Sequence, residues 1–216
     1  MISGDFDAVT QPVTAPVCAI ARLRMQTDGK GVTTLVCFHG CPLRCQWCIN
    51  PFSFAPDTKR EIISADTLYN KVKKDALYFL ATGGGVTFGG GEPLLYPRFL
   101  REFRNACGCQ WHLCAETSLN VPWENVAEAA RCIDMFYVDC KDTDPDIYRR
   151  YTGKDNSLVL SNLEKLLALV GPERITVRVP LIPEFNTEEN RELSCQRLKA
   201  MGITRLDLFS YRLPEA

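Results

Sequence analysis

Three cysteines on one short segment carry the first chemical signal in this sequence. They are Cys41, Cys45 and Cys48, with the spacing C-x3-C-x2-C. A cubane iron–sulfur cluster normally takes four cysteine thiolates, so a segment that supplies only three leaves one iron free to bind a substrate or cofactor. The alternative is a structural zinc site with Cys37 or His39 as the fourth ligand. Such sites usually take two ligand pairs from separate elements, and no second C-x2-C pair follows, which favours a catalytic cluster.

A glycine turn followed by a carboxylate is the second signal. Residues 86–93 read VTFGGGEP, a short strand that runs into three glycines, Glu92 and a proline. Glycine lets the backbone approach a bound molecule closely, and a carboxylate after such a turn can accept hydrogen bonds from an ammonium group. An ordinary strand-to-helix turn would explain the glycines alone equally well. Because the cysteine segment precedes this turn by about 40 residues, we interpret the two motifs as parts of one ligand site.

Composition indicates one globular domain in a reducing compartment. The chain has 216 residues, of which 46% are hydrophobic, and a net charge of −1, so no broad basic field points to nucleic acid or an anionic membrane. We expect no signal peptide, since no charged segment followed by an apolar core opens the chain. No apolar run approaches the length of a membrane span. Eleven cysteines, an odd number, suit a cytoplasmic protein better than a disulfide-bonded one.

The cysteines outside the first motif divide into two groups. One group lies in apolar stretches and is expected to be buried as small hydrophobic side chains: Cys18, Cys37, Cys132, Cys140 and Cys195. The other group, Cys107, Cys109 and Cys114, has a spacing that could seed a second cluster. These three residues straddle the end of a predicted helix and a predicted strand, which would point their side chains in different directions, so we favour no auxiliary cluster.

Strands and helices alternate along most of the sequence. The predicted strands are residues 32–38, 86–88, 111–115, 135–140, 175–181 and 205–210, and the predicted helices are 64–80, 97–106, 122–131, 156–170 and 187–201. Such alternation indicates βαβ units and a parallel sheet. Residues 1–16 are polar and interrupted by prolines, so we expect a flexible arm there and one core domain over residues 17–216.

Candidate site residues recur where predicted strands end. The cysteine segment, Glu92, Glu116, Lys141 and Arg212 each follow or close a strand. In parallel α/β folds the functional residues collect at the carboxyl ends of the strands, so we expect these groups to meet at one face of the sheet.

Taken together, these motifs resemble the radical S-adenosylmethionine (SAM) superfamily, and within it the glycyl radical enzyme activating enzymes of the pyruvate formate-lyase type. This resemblance implies an α/β fold, a partial (β/α)6 TIM-like barrel with parallel strands. It runs from about residue 27 to residue 211. The matching blocks are DGKG at 28–31, WCIN at 47–50, residues 83–92, Glu116-Thr117, DCK at 139–141, TGKDN at 152–156 and RVPLIP at 178–183.

The resemblance implies one 4Fe–4S cluster and SAM as cofactors. Cys41, Cys45 and Cys48 would hold the cluster, whose open iron is chelated by the methionine end of SAM. Trp47 and Ile49 would flank the adenine.

The resemblance also assigns roles to later residues. Gly90, Gly91 and Glu92 would hold the methionine end, and Thr117 and Lys141 would face the ribose or the carboxylate. Arg212 stands where the family often has a histidine that contacts the cofactor. The implied catalytic set is Cys41, Cys45, Cys48 and Lys141, and the remaining implied cofactor-binding residues are Glu116, Asp139, Arg178 and Arg212.

The implied activity is that of an activating enzyme. It would cleave SAM reductively and use the 5′-deoxyadenosyl radical to abstract hydrogen from a glycine of a partner glycyl radical enzyme. A flavodoxin or ferredoxin would supply the electron, and the protein would be a monomer. Many relatives insert a ferredoxin module after the cysteine segment, whereas here only residues 49–88 precede the glycine turn.

Two other functions remain open from the sequence. One is a small-molecule radical enzyme that resembles 7-carboxy-7-deazaguanine synthase, which shares the short length and the glycine turn but fits residues 139–141 and 152–156 less well. The other is a zinc or redox-sensing module, which needs neither the glycine turn nor the strand-end polar groups.

The sequence ends soon after the sixth predicted strand, so we expect an open lateral mouth through which a peptide loop could enter. Lys141, Arg178 and Asp139 would hold the backbone of that loop. Alternatively, these charged groups pair with one another at the barrel rim.

Overall fold

The computed structural model describes residues 12–25 and 28–211. Its strands are β1 (Thr14–Met25), β2 (Val32–Phe38), β3 (Glu61–Ser64), β4 (Gly85–Gly90), β5 (His112–Thr117), β6 (Met135–Asp139), β7 (Ile175–Leu181) and β8 (Leu206–Ser210). Its helices are α1 (Ala65–Val72), α2 (Ala76–Thr82), α3 (Pro97–Cys107), α4 (Trp123–Ala129), α5 (Pro145–Thr152), α6 (Ser157–Val170) and α7 (Glu188–Ala200).

These strands form one sheet in the order β3-β1-β2-β4-β5-β6-β7-β8. From β2 onward every neighbouring pair is parallel, and a helix follows each parallel strand except the last described one. The six predicted parallel strands are therefore confirmed, as is the α/β class with a partial-barrel sheet. The predicted helix 64–80 is interrupted, because a 3-10 turn at Lys73–Asp75 separates α1 from α2. Ser64 caps α1 as expected, since its Oγ accepts a hydrogen bond from Thr67 N at 3.2 Å.

Two strands and one helix were not predicted. β1 and β3 extend the sheet in the antiparallel sense, and residues 14–16 of the expected arm belong to β1, where Pro16 pairs with Ile62. The arm prediction is wrong for those three residues, and residues 1–11 lie outside the described part of the chain. α5 is short, and its N-cap is Asp144, whose side chain accepts hydrogen bonds from the backbone N–H groups of Asp146 and Ile147.

The main core lies between the sheet and its helices and is rich in phenylalanine. Phe38 at the end of β2 packs edge-on against Phe99 of α3, with ring centroids 5.6 Å apart. Phe88 of β4 meets Phe103 in the same way at 5.3 Å. All four rings are fully buried. The ends of β2 and β4, which lead into the cysteine segment and the glycine turn, are therefore fixed from behind by packed aromatic rings.

Four of the five cysteines that we expected to be buried are buried, namely Cys37, Cys132, Cys140 and Cys195. Cys18 is only half-buried, because β1 lies near the edge of the sheet. No helix among residues 12–25 and 28–211 is long and apolar enough to cross a membrane.

Candidate active site

The carboxyl ends of the parallel strands surround a cavity of about 690 Å³. This volume is in the range of sites that hold cofactors or drug-sized ligands. The residues that line it come from β1, the loop after β2, and the ends of β4 to β8. They include Arg24, Asp28, Cys41, Cys45, Cys48, Ile49, Asn50, Gly90, Gly91, Glu92, Glu116, Thr117, Ser118, Asp139, Lys141, Arg178, Asp207 and Tyr211.

The cysteine loop, residues 41–48, is attached to the C-terminal end of α5. The backbone N–H groups on either side of Cys45 donate to this helix, Arg44 N to Thr152 O at 2.9 Å and Gln46 N to Tyr151 O at 3.0 Å. The last carbonyls of a helix have no partner within the helix, so the loop satisfies groups that would otherwise need water. The helix ends at Gly153, which has the left-handed φ of +75°. Within the loop, Arg44 Nη1 also donates to the carbonyls of Cys41 and Leu43 at 2.6 and 2.8 Å, so backbone and side-chain contacts together hold its shape.

The three thiols fit a cluster better than a single metal ion. Burial raises the pKa of Cys41 to about 12 and that of Cys45 to about 11, so the thiols must lose protons when they bind iron. All three thiols line the cavity, and in a cubane cluster each thiolate binds a different iron.

The glycine turn, residues 89–92, packs closely against the segment that leads into the cysteine loop. Gly91 N donates to Phe38 O at 3.0 Å and Glu92 N donates to Gly40 O at 2.8 Å. A Cβ at position 91 would lie 2.2 Å from Gly40 O, so no other residue fits there without displacing the backbone. Glu92 is 1% exposed, and its carboxylate accepts hydrogen bonds from Leu94, Thr117 and Ser118.

The ends of β5 to β8 carry paired charges, which we call the ion-pair wall: Glu116, Asp139, Lys141, Arg178 and Asp207. Arg178 Nη2 donates to Glu116 Oε1 at 2.7 Å and its Nε lies 3.7 Å from Asp207 Oδ2. Lys141 Nζ lies 3.1 Å from Asp139 Oδ2 and 3.2 Å from the Tyr211 hydroxyl. The alternative in which these groups pair with one another at the rim is therefore what the structure shows.

Burial and charge act against each other in this wall. Burial raises the pKa of the Glu116 carboxyl, although the charge of Arg178 lowers it. Burial by itself would lower the pKa of the Lys141 ammonium. Asp139 and Tyr211 more than offset this effect, so its pKa lies well above the usual range. Lys141 is therefore a buried cation whose charge depends on the neighbouring carboxylate.

The structure brings together most of the predicted site residues. Those that line the cavity are Cys41, Cys45, Cys48, Ile49, Gly90, Gly91, Glu92, Glu116, Thr117, Asp139, Lys141 and Arg178. Trp47 is not among the lining residues; its carbonyl accepts a hydrogen bond from Tyr151 Oη at 3.4 Å, and its contact with adenine stays a prediction. Arg212 lies outside the described residues.

Sequence reasoning missed several lining residues. Ser118 comes three positions and Tyr211 one position after the end of a predicted strand, so the strand-end rule could have found both. Arg24 pairs with Asp28 at the cavity, and this pair was missed because β1 was not predicted. Asp28 had a signal, since it opens the DGKG block.

The sequence model of the radical SAM superfamily matches residues 35–194. That span contains the cysteine loop, the glycine turn and most of the ion-pair wall. The chain belongs to the radical SAM superfamily. It is accordingly an oxidoreductase with one 4Fe–4S cluster and SAM as cofactors.

Curated relatives narrow the family further. The chain is 38% identical over 186 residues to the pyruvate formate-lyase-activating enzyme of Clostridium pasteurianum. The aligned region covers 85% of this chain and 77% of that protein. It is 29% identical over 222 residues to the (2S)-3-sulfopropanediol dehydratase activating enzyme of Klebsiella oxytoca. That aligned region covers 74% of this chain and 69% of that protein. The radical SAM chain is thus related to glycyl radical enzyme activating enzymes, which favours this branch over the small-molecule synthase alternative.

A solved structure supports the fold. Streptococcus suis SuiB bound to S-adenosylmethionine superposes with a TM-score of 0.59 at 16% identity, over 82% of this chain and 39% of that chain.

Proposed function

We propose that this radical SAM enzyme activates a glycyl radical enzyme by removing an α-hydrogen atom from one glycine of that partner. The observation that carries the proposal is that three cluster thiols, the glycine turn and the ion-pair wall line a single cavity. The names of the relatives at 29% and 38% identity, all activating enzymes, support the same reading.

When bound, the cluster and SAM would supply the radical chemistry: one electron from an external reductant would convert SAM into methionine and a 5′-deoxyadenosyl radical, and the glycine hydrogen would pass to that radical to give 5′-deoxyadenosine and a glycyl radical. The protein binds, orients and shields the reactants. In this proposal Cys41, Cys45 and Cys48 hold the cluster, and Gly90 and Gly91 present backbone groups to the methionine end. The buried aromatic core behind β2 and β4 keeps these two parts from moving relative to one another.

The ion-pair wall has N–H donors that its internal ion pairs do not use and that a peptide could bind. An ammonium group has three N–H donors and a guanidinium has five. Lys141 uses two contacts, with Asp139 and Tyr211, and Arg178 contacts Glu116 and Asp207. The remaining N–H groups can meet backbone carbonyls of a substrate loop while the ion pairs persist, so internal pairing and peptide binding are compatible.

The cluster is tested by anaerobic reconstitution with iron and sulfide. We expect about four irons per chain, and 5′-deoxyadenosine after dithionite and SAM are added. Replacing all three cysteines, Cys41, Cys45 and Cys48, by alanine should abolish both, while Cys132→Ala, a buried cysteine remote from the cavity, should leave both unchanged. Zinc without iron, or full iron content in the triple variant, would contradict the assignment.

The substrate is tested with a glycyl radical enzyme encoded beside this chain. Mixing it with the reduced protein and SAM should give a glycine-centred doublet in the electron paramagnetic resonance spectrum. A small-molecule product with SAM turnover and no protein radical would instead favour an enzyme that resembles 7-carboxy-7-deazaguanine synthase.

We also propose a flavodoxin or ferredoxin as electron donor, a monomeric protein and a cytoplasmic location. The many unpaired thiols and the cluster both need a reducing compartment. Replacing dithionite by reduced flavodoxin or ferredoxin should sustain 5′-deoxyadenosine formation, and sedimentation of the reconstituted protein should give the mass of one chain.

A further inference from the structure

The carboxylate of Glu92 has no lone pair left for a ligand. Oε1 accepts from Leu94 N at 3.1 Å and from Thr117 Oγ1 at 2.6 Å. Oε2 accepts from Ser118 N at 2.8 Å and from Ser118 Oγ at 2.7 Å. A carboxylate offers about four acceptor positions, and all four are filled. Glu92 therefore joins the end of β4 to the end of β5, and it is the backbone of the glycine turn that faces the cavity.

The loop that supplies two of these donors, residues 118–122, has an unfavourable shape that needs outside support. Leu119 is fully buried and has a φ of +56°, a left-handed conformation that costs a leucine roughly 1–2 kcal/mol. Its carbonyl points to α6.

The support comes from Asn162 in the middle of α6. Its Nδ2 donates to Leu119 O at 2.9 Å and to Val121 O at 2.8 Å. Asn162 is fully buried, and it is not among the residues that line the cavity. Its Oδ1 makes no hydrogen bond within the described part of the chain, so its role rests on these two donations.

We propose that Asn162 and Ser118 are positioning residues for SAM, acting through Glu92 on the backbone of the glycine turn. The route runs from Asn162 to the carbonyls of Leu119 and Val121, then through Ser118 to Glu92. Because Glu92 N also donates to Gly40 O, the same route fixes the turn relative to the start of the cysteine loop. The inference rests on the proposed contact between the glycine turn and the methionine end of SAM.

The test measures SAM binding to the reconstituted protein rather than turnover. Asn162→Leu keeps the number and branching of the side-chain heavy atoms but removes both donations, and Ser118→Ala removes one donor to Glu92. We expect each to raise the dissociation constant of SAM about five- to tenfold with iron content unchanged. The SAM dissociation constant of the double variant should be at most about twice that of the single variant that binds more weakly, because both substitutions act along one route.

A matched control separates positioning from general loosening. Arg174 also donates to backbone carbonyls, those of Ala130, Ile133 and Asp134, at the end of the sheet away from the cavity. Arg174→Met should lower the denaturation midpoint as Asn162→Leu does but change SAM affinity less than about twofold. Equal loss of affinity in both variants would overturn the proposal. So would unchanged affinity in Ser118→Ala, which remains informative even if Asn162→Leu does not fold. Loss of the cluster in wild-type protein would instead count against the proposed function.

Discussion

The glycine turn and the ion-pair wall hold buried carboxylates in different ways. Glu92, beside the glycine turn, is surrounded by neutral donors only, whereas Glu116 and Asp139 in the ion-pair wall each face a cation. Within the described residues, the wall sets two cations against three carboxylates, whereas Glu92 has no cation among its hydrogen-bond partners and burial raises the pKa of its carboxyl. The charge of Glu92, beside the proposed site of the methionine ammonium and sulfonium, is thus not offset by a direct partner, whereas Glu116 and Asp139 each have one.

The difference also predicts how each side responds to substitution. A group held by directional neutral bonds tolerates no change of hydrogen-bond polarity, and a charged pair tolerates loss of both partners better than loss of one.

The largest effect should come from breaking the ion-pair wall on one side only. Arg178→Met leaves Glu116 buried beside Asp139 without its cation, and we expect the free energy of unfolding in urea to fall by about 3 kcal/mol. The double variant Glu116→Gln/Arg178→Met should recover at least about 1 kcal/mol of this loss. If the loss of stability in the double variant equals the sum of the losses in the two single variants, the two charges are not coupled, and the proposed difference between the glycine turn and the ion-pair wall is wrong.

A smaller effect is expected for Glu92→Gln, for a reason specific to the glycine turn. Each carboxylate oxygen accepts from one backbone N–H, that of Leu94 or that of Ser118. Whichever way the new amide turns, its NH2 group faces a backbone donor that cannot rotate. We expect the free energy of unfolding to fall by about 2 kcal/mol and the SAM dissociation constant to rise roughly tenfold, with iron content unchanged.

Glu116→Gln is the matched substitution for that experiment. Its amide oxygen can still accept from Arg178, so it should cost less stability than Glu92→Gln. The reverse order would show that charge rather than hydrogen-bond polarity dominates on both sides.

The attachment of the cysteine loop to α5 is tested by a pair of glycines. Gly153 and Gly83 both end short helices in the left-handed conformation, with φ of +75° and +67°, and neither has an atom close enough to clash with a Cβ. Alanine at either position should cost about 1 kcal/mol. Only Gly153→Ala should speed the loss of iron to a chelator, since α5 and not α2 contacts the loop through its last carbonyls; equal rates would contradict this link.

The smallest predicted effect is a dependence of stability on pH. Burial raises the pKa of Glu116 in the folded protein, so between the ordinary pKa of about 4.3 and the raised value the folded state binds more protons than the unfolded state. Stability from this group is therefore greatest at low pH and is lost as pH rises through that window. Glu116→Gln should flatten the pH dependence of the free energy of unfolding in urea by roughly 0.5 kcal/mol per pH unit, below the one-proton maximum of about 1.4. Parallel curves for wild type and variant would show that Glu116 does not titrate there.

The parallel strands were predictable because they are nearly continuous apolar runs, such as VTTLVCF in β2 and ITVRVPL in β7. β1 was not, because its sequence TAPVCAIARLRM contains a proline and charged residues and its pairing has two irregularities of register. α5 has only eight residues, too few for a clear helical period.

The contents of the site were predictable to the extent that strand ends converge. The cysteines, Glu92, Lys141 and Arg178 meet as expected because a parallel sheet places all its carboxyl ends on one face. The orientation of Glu92 was not predictable. Its partners Thr117 and Ser118 lie 25 and 26 residues further along the chain, and only the tertiary structure brings their donors to the carboxylate.

The antiparallel pair at the start of the sheet has a consequence for the strand that leads to the cluster. Without β1, β2 would be the first strand of the sheet, with a row of unpaired amides open to fraying or to strand exchange with another molecule. β1 covers it from Val17 to Met25. β3 in turn pairs only with Thr14–Val17 of β1, so the remainder of β1, which carries Arg22 and Arg24 and two irregularities of register, is the outer strand there. Charged side chains and an irregular register discourage intermolecular pairing. The cysteine loop is therefore attached to an interior strand, and amide hydrogen exchange in β2 should be among the slowest in the protein.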